Sequence, residues 1–257
     1  MATETSYFNR LNLDNIEIIC SSVEQVSDKL SHLIKNTNKE NLIVTFNLDF
    51  YRNSEINPVF NNVCKSADFV FPDGVGITNL LKLKYGIKLK RITGNELFII
   101  LLSIADKNNL SVAFAGSTEK TLNKLKEKIQ SRYPGLKICA VISPPLNFEN
   151  DLSYNSEMIE KLKESKPDIL FLALGSPRQE LWLYENKEKI GAKINMGVGA
   201  VFDFYSGVKK RSPVIFQKIG LEWLWRLITE PGRLFKRYII YDLPFFIKCA
   251  YKIITKK

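Results

Sequence analysis

Asp73 stands in the run Phe71-Pro72-Asp73-Gly74-Val75-Gly76, where a proline fixes the backbone before it and two glycines leave room for close approach after it. A carboxylate so placed can take the proton of an attacking hydroxyl as a general base. It can equally cap the helix that starts near Gly76, and the local residues support both readings alike. Thr45 and Asn47 close the apolar run that begins at Leu42. Arg91 and Gly94 precede the apolar stretch Leu97 to Ile104. Arg91 either clamps a phosphate or is one more solvated cation of Lys88-Leu89-Lys90-Arg91, and the run by itself favours solvation. Gly175-Ser176-Pro177-Arg178-Gln179-Glu180 joins another apolar run to a helix start, where free N–H groups and the helix dipole attract anions. Its plain alternative is a capping box of Ser176 with Gln179. Gly197-Val198-Gly199 leads to Asp203, which can accept from a sugar or ribose hydroxyl or pair with a nearby arginine.

Other chemistries lack their residues. There is no GxxxxGK[ST] phosphate loop and no GxGxxG after a strand, which weakens ATPase and dehydrogenase readings. No DxD pair is present to hold a divalent ion against a sugar diphosphate. The single histidine, His32, reads as an ordinary mid-helix residue. The expectation is a site with no metal and no cofactor. Cys20, Cys64, Cys139 and Cys249 form no CxxC pair and read as reduced, mostly buried thiols of a cytosolic protein.

The elements that must position these groups alternate. Ile16 to Cys20, Leu42 to Phe46, Phe69 to Phe71, Ser111 to Ala115, Lys137 to Ile142, Asp168 to Leu174 and Ile194 to Val198 read as strands. Between them lie helical patterns. One is capped by Ser22, with Val23, Val26, Leu30 and Leu33 on one face; another has Pro58 in its first turn. Strand and helix in turn, with continuous apolar strands, predict an α/β fold: a mostly parallel, Rossmann-like sheet with helices on both faces. Ligands of such sheets bind beyond the carboxyl ends of the strands, which selects the loops after Phe46, Phe71, Ala115 (with Gly116), Leu174 and Val198.

A chain of 257 residues, 45% hydrophobic and 25% charged, is an ordinary globular composition. The net charge of +10 is unevenly placed. Residues 207–257 hold 12 of the 37 Lys and Arg and 3 of the 27 Asp and Glu, a balance of +9, which leaves +1 for residues 1–206. The same tail carries nine aromatics, from Phe216 to Tyr251. This divides the chain into a near-neutral α/β domain, 1–206, which holds the candidate catalytic residues, and a basic, aromatic-rich helical appendage, 207–257. Basic residues among large aromatics suit an anionic membrane surface. They also suit nucleic acid, or a helical appendage that packs on the body, and composition leaves these close. Met1 to Arg10 lacks a basic segment followed by an apolar run, which predicts no secretory signal. No apolar stretch of about 18 residues predicts a spanning helix.

Taken in order, several blocks resemble the bacterial WecG/TagA/CpsF glycosyltransferases. They are Thr45-Phe46-Asn47, Ala67 to Gly76, Arg91-Ile92-Thr93-Gly94, Tyr133 to Leu136, Leu174 to Glu180 and Gly197 to Phe204. Gly207, Arg211-Ser212-Pro213, Gly220 to Leu224, Arg226-Leu227, Glu230-Pro231 and Arg233 follow. The likeness runs from about residue 40 to 238 with every block in register. It implies an inverting, metal-independent transfer of a sugar from a UDP-sugar donor to a polyprenyl-diphosphate-linked acceptor in cell-surface polysaccharide biosynthesis. By the same resemblance Asp73 is the base, with Thr45 and Arg91 as its catalytic neighbours. Gln179 and Asp203 serve the nucleotide sugar, and Asn47, Gly74, Gly94, Gly116, Gly175, Ser176, Glu180 and Gly199 line the substrate site. Arg226, Arg233 and Arg237 are expected to complete it around the diphosphates once the tail docks. A lipid-linked acceptor favours the membrane over nucleic acid and implies a cytoplasmic enzyme, peripheral on the inner face of the cell membrane. A homo-oligomer is equally compatible. Where many members carry Gly-Tyr or Gly-Phe after the Lys137 to Ile142 strand, this chain has Ser143-Pro144-Pro145, which leaves the donor sugar open among N-acetylmannosamine-type sugars, glucose and uronic acids.

Overall fold

Apolar runs too short for helices become strands, and the amphipathic stretches between them cover both faces of the sheet they form. The computed structural model describes residues 8–255, so the stretch Met1 to Arg10 lies largely outside the described residues, as do Lys256 and Lys257. A hairpin, β1 (Arg10–Leu13) and β2 (Ile16–Ile19), leads into α1 (Val23–Asn36) and β3 (Asn41–Phe46). Then come α2 (Leu48–Ile56), α3 (Pro58–Ser66), β4 (Phe69–Pro72), α4 (Val75–Tyr85) and α5 (Gly94–Lys107). The second half runs β5 (Ser111–Gly116), α6 (Glu119–Arg132), β6 (Lys137–Ile142), α7 (Leu152–Glu164), β7 (Ile169–Ala173), α8 (Arg178–Ile190), β8 (Ile194–Gly197) and α9 (Val201–Ser206). The tail folds as α10 (Val214–Lys218), α11 (Glu222–Thr229), α12 (Pro231–Phe235), π-helical turns over Lys236–Asp242 and α13 (Leu243–Thr255).

The strands form one sheet in the order β1-β2-β4-β3-β8-β7-β5-β6, parallel except for the β1–β2 hairpin. This is an α/β Rossmann-like fold. The order reverses about the β3–β8 pair, because the chain runs outward from β3 to β4 and then crosses to β5 on the other side. The crevice expected at such a switch point therefore opens between the ends of β4, β3, β8 and β7. Side chains alternate between two cores. Ile43, Phe69, Phe71, Phe114 and Phe171 pack under α1, α5, α6 and α9. Leu42, Val44, Phe46, Val70, Leu170 and Leu172 pack under α2, α3, α4, α7 and α8. Phe98 of α5 meets Phe114, Phe171 and Phe202 edge-on at 4.7–6.3 Å, fixing the sheet against the helix whose N-terminus reaches the crevice.

The strand reading differs from the structure at one end. Ile16 to Cys20 stops at Ile19 and pairs with an antiparallel edge strand, β1, that sequence did not suggest. Ser22 caps α1 with a full capping box to Gln25, and Asn57 caps α3 ahead of Pro58. All four cysteines are free; Cys64 and Cys249 are buried and Cys20 and Cys139 half-buried. Burial pushes the thiols of Cys20 and Cys249 up to about 11, so neither is reactive at neutral pH.

The tail packs on the body. Phe245 and Cys249 of α13 join the second core, and the Phe245 ring meets Tyr51 edge-on at 5.1 Å. Arg52 of α2 bonds Asp49 at 2.5 Å and reaches Asp242 at 3.0 Å, while Arg237 lies 3.3 Å from Asp49. These four partly buried charges tie α2 to the π-helical turns. Among the described residues no helix is long and apolar enough to cross a membrane.

Candidate active site

A cleft of about 600 Å³ opens at the carboxyl ends of the central strands. Four of the five loops expected there line it, supplying Asn47, Asp73, Gly74, Gly175, Ser176, Gln179 and Gly199. The loop after β5 does not. Strand β5 lies outside β7, one place further from the switch point, and Gly116 is pressed against its neighbour instead of facing the cleft. A Cβ at Gly116 would lie 2.4 Å from the Ala173 carbonyl oxygen, at a φ of +88°. Gly116 thus serves the β5–β7 contact, a correction to its expected place among the substrate-lining residues. Gly116→Ala should cost more than about 2 kcal/mol in a thermal melt while leaving the donor KM near the wild-type value.

Asp73 is held one residue beyond β4 by its own N–H, which donates to the Phe46 carbonyl at 2.8 Å. It does not cap a helix: α4 begins at Val75 with Gly74 at its N-cap and no side-chain cap bond. The carboxyl is free to face the cleft, where the Gly94 N–H lies close enough to pull on its charge. Burial, and then the like charge of Glu222, push it up to about 6, against the pull of that N–H, Arg91 and Arg226. A carboxylate tuned towards neutrality is suited to act as a base. Thr45, on β3 opposite Phe71, is nearly buried, and its hydroxyl lies 3.6 Å from where a Cβ on Gly94 would be.

The Arg91 loop is pinned by the Ile92 N–H, which donates to the Pro72 carbonyl at 2.9 Å. Arg91 is not solvated. Its guanidinium donates to the Gln217 carbonyl and lies 3.4 Å from Glu222, so its side chain is only 20% exposed.

The capping-box reading of Ser176 and Gln179 fails. Pro177 is the N-cap of α8, without a side-chain bond, which frees Gln179. Its Oε1 accepts from Gly175 N–H at 3.1 Å and Gly199 N–H at 3.0 Å, clamping the ends of β7 and β8 together. Its Nε2 donates to Glu180 at 2.6 Å. Glu180 itself is 2% exposed and lies behind the clamp, outside the cleft lining. Burial pushes its carboxyl up to about 7. Asp203 is also outside the lining: it pairs with Lys209 at 3.4 Å and accepts from Thr121 at 3.4 Å, so its partner is a lysine of the tail and not an arginine.

Electrostatics favour an anion. Helix α4 starts at the cleft without a side-chain cap, so its first N–H groups are open to a ligand, whereas in the first turn of α8 the Gln179 N–H donates to the Gly175 carbonyl at 3.1 Å. Five arginines (Arg91, Arg211, Arg226, Arg233 and Arg237) line the cleft against four carboxylates, Asp49, Asp73, Glu222 and Asp242. Arg226 has a buried Nε without a hydrogen bond, and its guanidinium sits 5.8 Å above the Phe204 ring. Arg233 pairs with Glu230 at 2.6 Å, and Arg237 with Asp49. Arg211 and Glu222, which the sequence reading left out of the site, were visible there only as members of the family-like blocks. Among the described residues no group of three His, Cys, Asp or Glu side chains is placed to hold a metal ion.

A cleft of this kind, at the switch point of a parallel sheet and rich in arginine, suits an anionic ligand of an α/β protein. The profile of the WecG/TagA/CpsF glycosyl transferase family matches residues 11–257. The chain belongs to that family and is a glycosyltransferase. A relative from Bacillus spizizenii, an N-acetylglucosaminyldiphosphoundecaprenol N-acetyl-beta-D-mannosaminyltransferase, is 30% identical over 86% of this chain and 84% of its own length. A Staphylococcus aureus protein of the same name is 26% identical, over 99% of this chain and 96% of its own.

Proposed function

We propose that the protein transfers N-acetylmannosamine from a UDP-linked donor to N-acetylglucosamine on a polyprenyl diphosphate, with inversion and without a metal. The observation that carries this reading is the placement of Asp73, tuned to about 6, beside Arg91 in a cleft that five arginines and the uncapped N-terminus of α4 make attractive to anions. The relatives' names supply the sugar and the acceptor. An acceptor hydroxyl attacks the anomeric carbon while Asp73 takes its proton; the new C–O bond forms as the bond to the β-phosphate breaks, and UDP departs. One displacement inverts the anomeric centre. Charge gathering on the leaving phosphate meets Arg91, Arg226 and the N-terminus of α4.

The tail supports a membrane location. Ile215, Ile219, Ile228, Ile247 and Tyr251 are each more than half exposed, and Lys218, Lys248 and Lys252 lie among them in sequence. Such a surface meets acyl chains and anionic headgroups together. The substrate reading is tested by UDP release on vesicles with a lipid-linked N-acetylglucosamine acceptor and EDTA. The donors compared are the UDP derivatives of N-acetylmannosamine, glucose, glucuronic acid and N-acetylmannosaminuronic acid. Turnover with the first alone is expected. Preference for another donor, or strict dependence on added metal, would contradict it.

A further inference from the structure

Every side-chain hydrogen bond and ion pair that Arg91 makes among the described residues is to the tail: to the Gln217 carbonyl and to Glu222. Glu222 is the first residue of α11 and only 17% exposed. Its Oε2 lies 3.4 Å from Arg91 Nη1, and its Oε1 lies 3.2 Å from Arg211 Nε. One carboxylate from the tail thus holds two arginines, one from the body and one from the segment before α10.

A structural ion pair would account for the contact but not for its position. Glu222 shares the cleft with Asp73, a like charge that stability alone disfavours. The charged groups facing it are Asp73 at the end of β4, Arg91 before α5, Arg211 before α10 and Arg226 one turn along α11. Without a carboxylate at 222, the freed guanidinium groups share the cleft with Asp73, which already feels the charge of Arg91. An arginine paired with Asp73 would weaken it as a base and divert the cation from the leaving phosphate.

We infer that Glu222 is a positioning residue for the transfer: an internal counter-ion, delivered by the tail, that holds Arg91 and Arg211 beside the base without letting either pair with it. The inference rests on the reading of Asp73 as the base. It gives the tail a chemical task beyond docking, because α11 must be seated for Arg91 to be oriented.

The test uses the full chain on phosphatidylglycerol vesicles, with kcat and donor KM measured from about pH 5 to 9 for the wild type, Glu222→Gln, Glu222→Asp and Asp73→Asn. Glu222→Gln should lower kcat roughly 10- to 100-fold with the donor KM changed by less than about threefold. The acidic midpoint of kcat/KM should move down by roughly 0.5–1 pH unit, because a like charge has gone and two cations have come closer. Glu222→Asp keeps the charge and should keep the wild-type midpoint at a partial rate. An unmoved midpoint in Glu222→Gln, whatever its rate, overturns the inference, as does a midpoint in Glu222→Asp that moves as far as in Glu222→Gln. Full turnover in Asp73→Asn would instead overturn the assignment of the base.

Discussion

Replacing Asp73 with asparagine should lower turnover by roughly 10²- to 10⁴-fold while leaving donor binding intact, because the amide keeps the shape of the carboxyl and loses only its proton affinity. The same variant should be more stable. The Asp73 carboxyl is pushed up from 3.8 to about 6 in the folded chain. Between about pH 4 and 6 the folded state therefore holds a proton that the unfolded chain has released, and stability falls as pH rises through that window. Above it the cost of an ionised, half-enclosed Asp73 is complete, at most about 3 kcal/mol. Asparagine carries no such cost. A higher melting temperature at pH 8 together with lost turnover would mark Asp73 as a group held in place for chemistry and not for folding. Lower stability with turnover retained would mark a structural residue.

Arg91→Ala should lower kcat by roughly 10²- to 10³-fold, the size of effect seen when a donor to a developing charge is removed. Arg91→Lys should recover little of it. A guanidinium can donate to the Gln217 carbonyl and reach Glu222 from two nitrogens at fixed spacing, whereas an ammonium on a flexible stem is a single point of charge. A kcat within about threefold of wild type in Arg91→Ala would show that the leaving group is stabilised elsewhere, with the unbonded Nε of Arg226 the next residue to examine.

Why Arg91 could not be judged from its neighbours is instructive. Lys88-Leu89-Lys90-Arg91 is a basic run by composition, yet its last member is held by residues 126 and 131 positions away. Local sequence carries no information about such contacts. The parallel sheet was legible because its strands are continuous apolar runs, with β3 buried at all six positions and β7 at all five. Antiparallel β1, at the sheet edge and mostly half-buried, leaves no such mark. The Asp73 loop lies in the cleft that the strand-end rule selects, and the capping alternative is removed by one detail of backbone: the helix starts after Gly74, which takes the cap position.

Gln179 shows a pattern that misleads. Ser176 and Gln179 have the spacing of a capping box, but the helix starts one residue later than that motif requires, so the amide is released to bridge Gly175 and Gly199. Gly116 and Asp203 show the limit of reading strand ends without strand order. Gly116 ends a strand and Asp203 comes soon after one, and both are suitable residue types, yet β5 lies beside the crevice and Asp203 turns to Thr121 and Lys209. The tail was legible in charge and aromatic content but not in its docking, which depends on single contacts such as Phe245 with Tyr51 and Arg52 with Asp242.

The claim that Asp73 is the base is tested most directly by the pH dependence of kcat/KM for the wild type and Asp73→Asn, measured side by side on the same vesicles. The wild-type profile should rise with pH, bend near pH 6 where the Asp73 carboxyl ionises, and level off above it. The residual activity of Asp73→Asn should show no bend there. An acidic limb near pH 6 that survives in Asp73→Asn would assign the base to another residue.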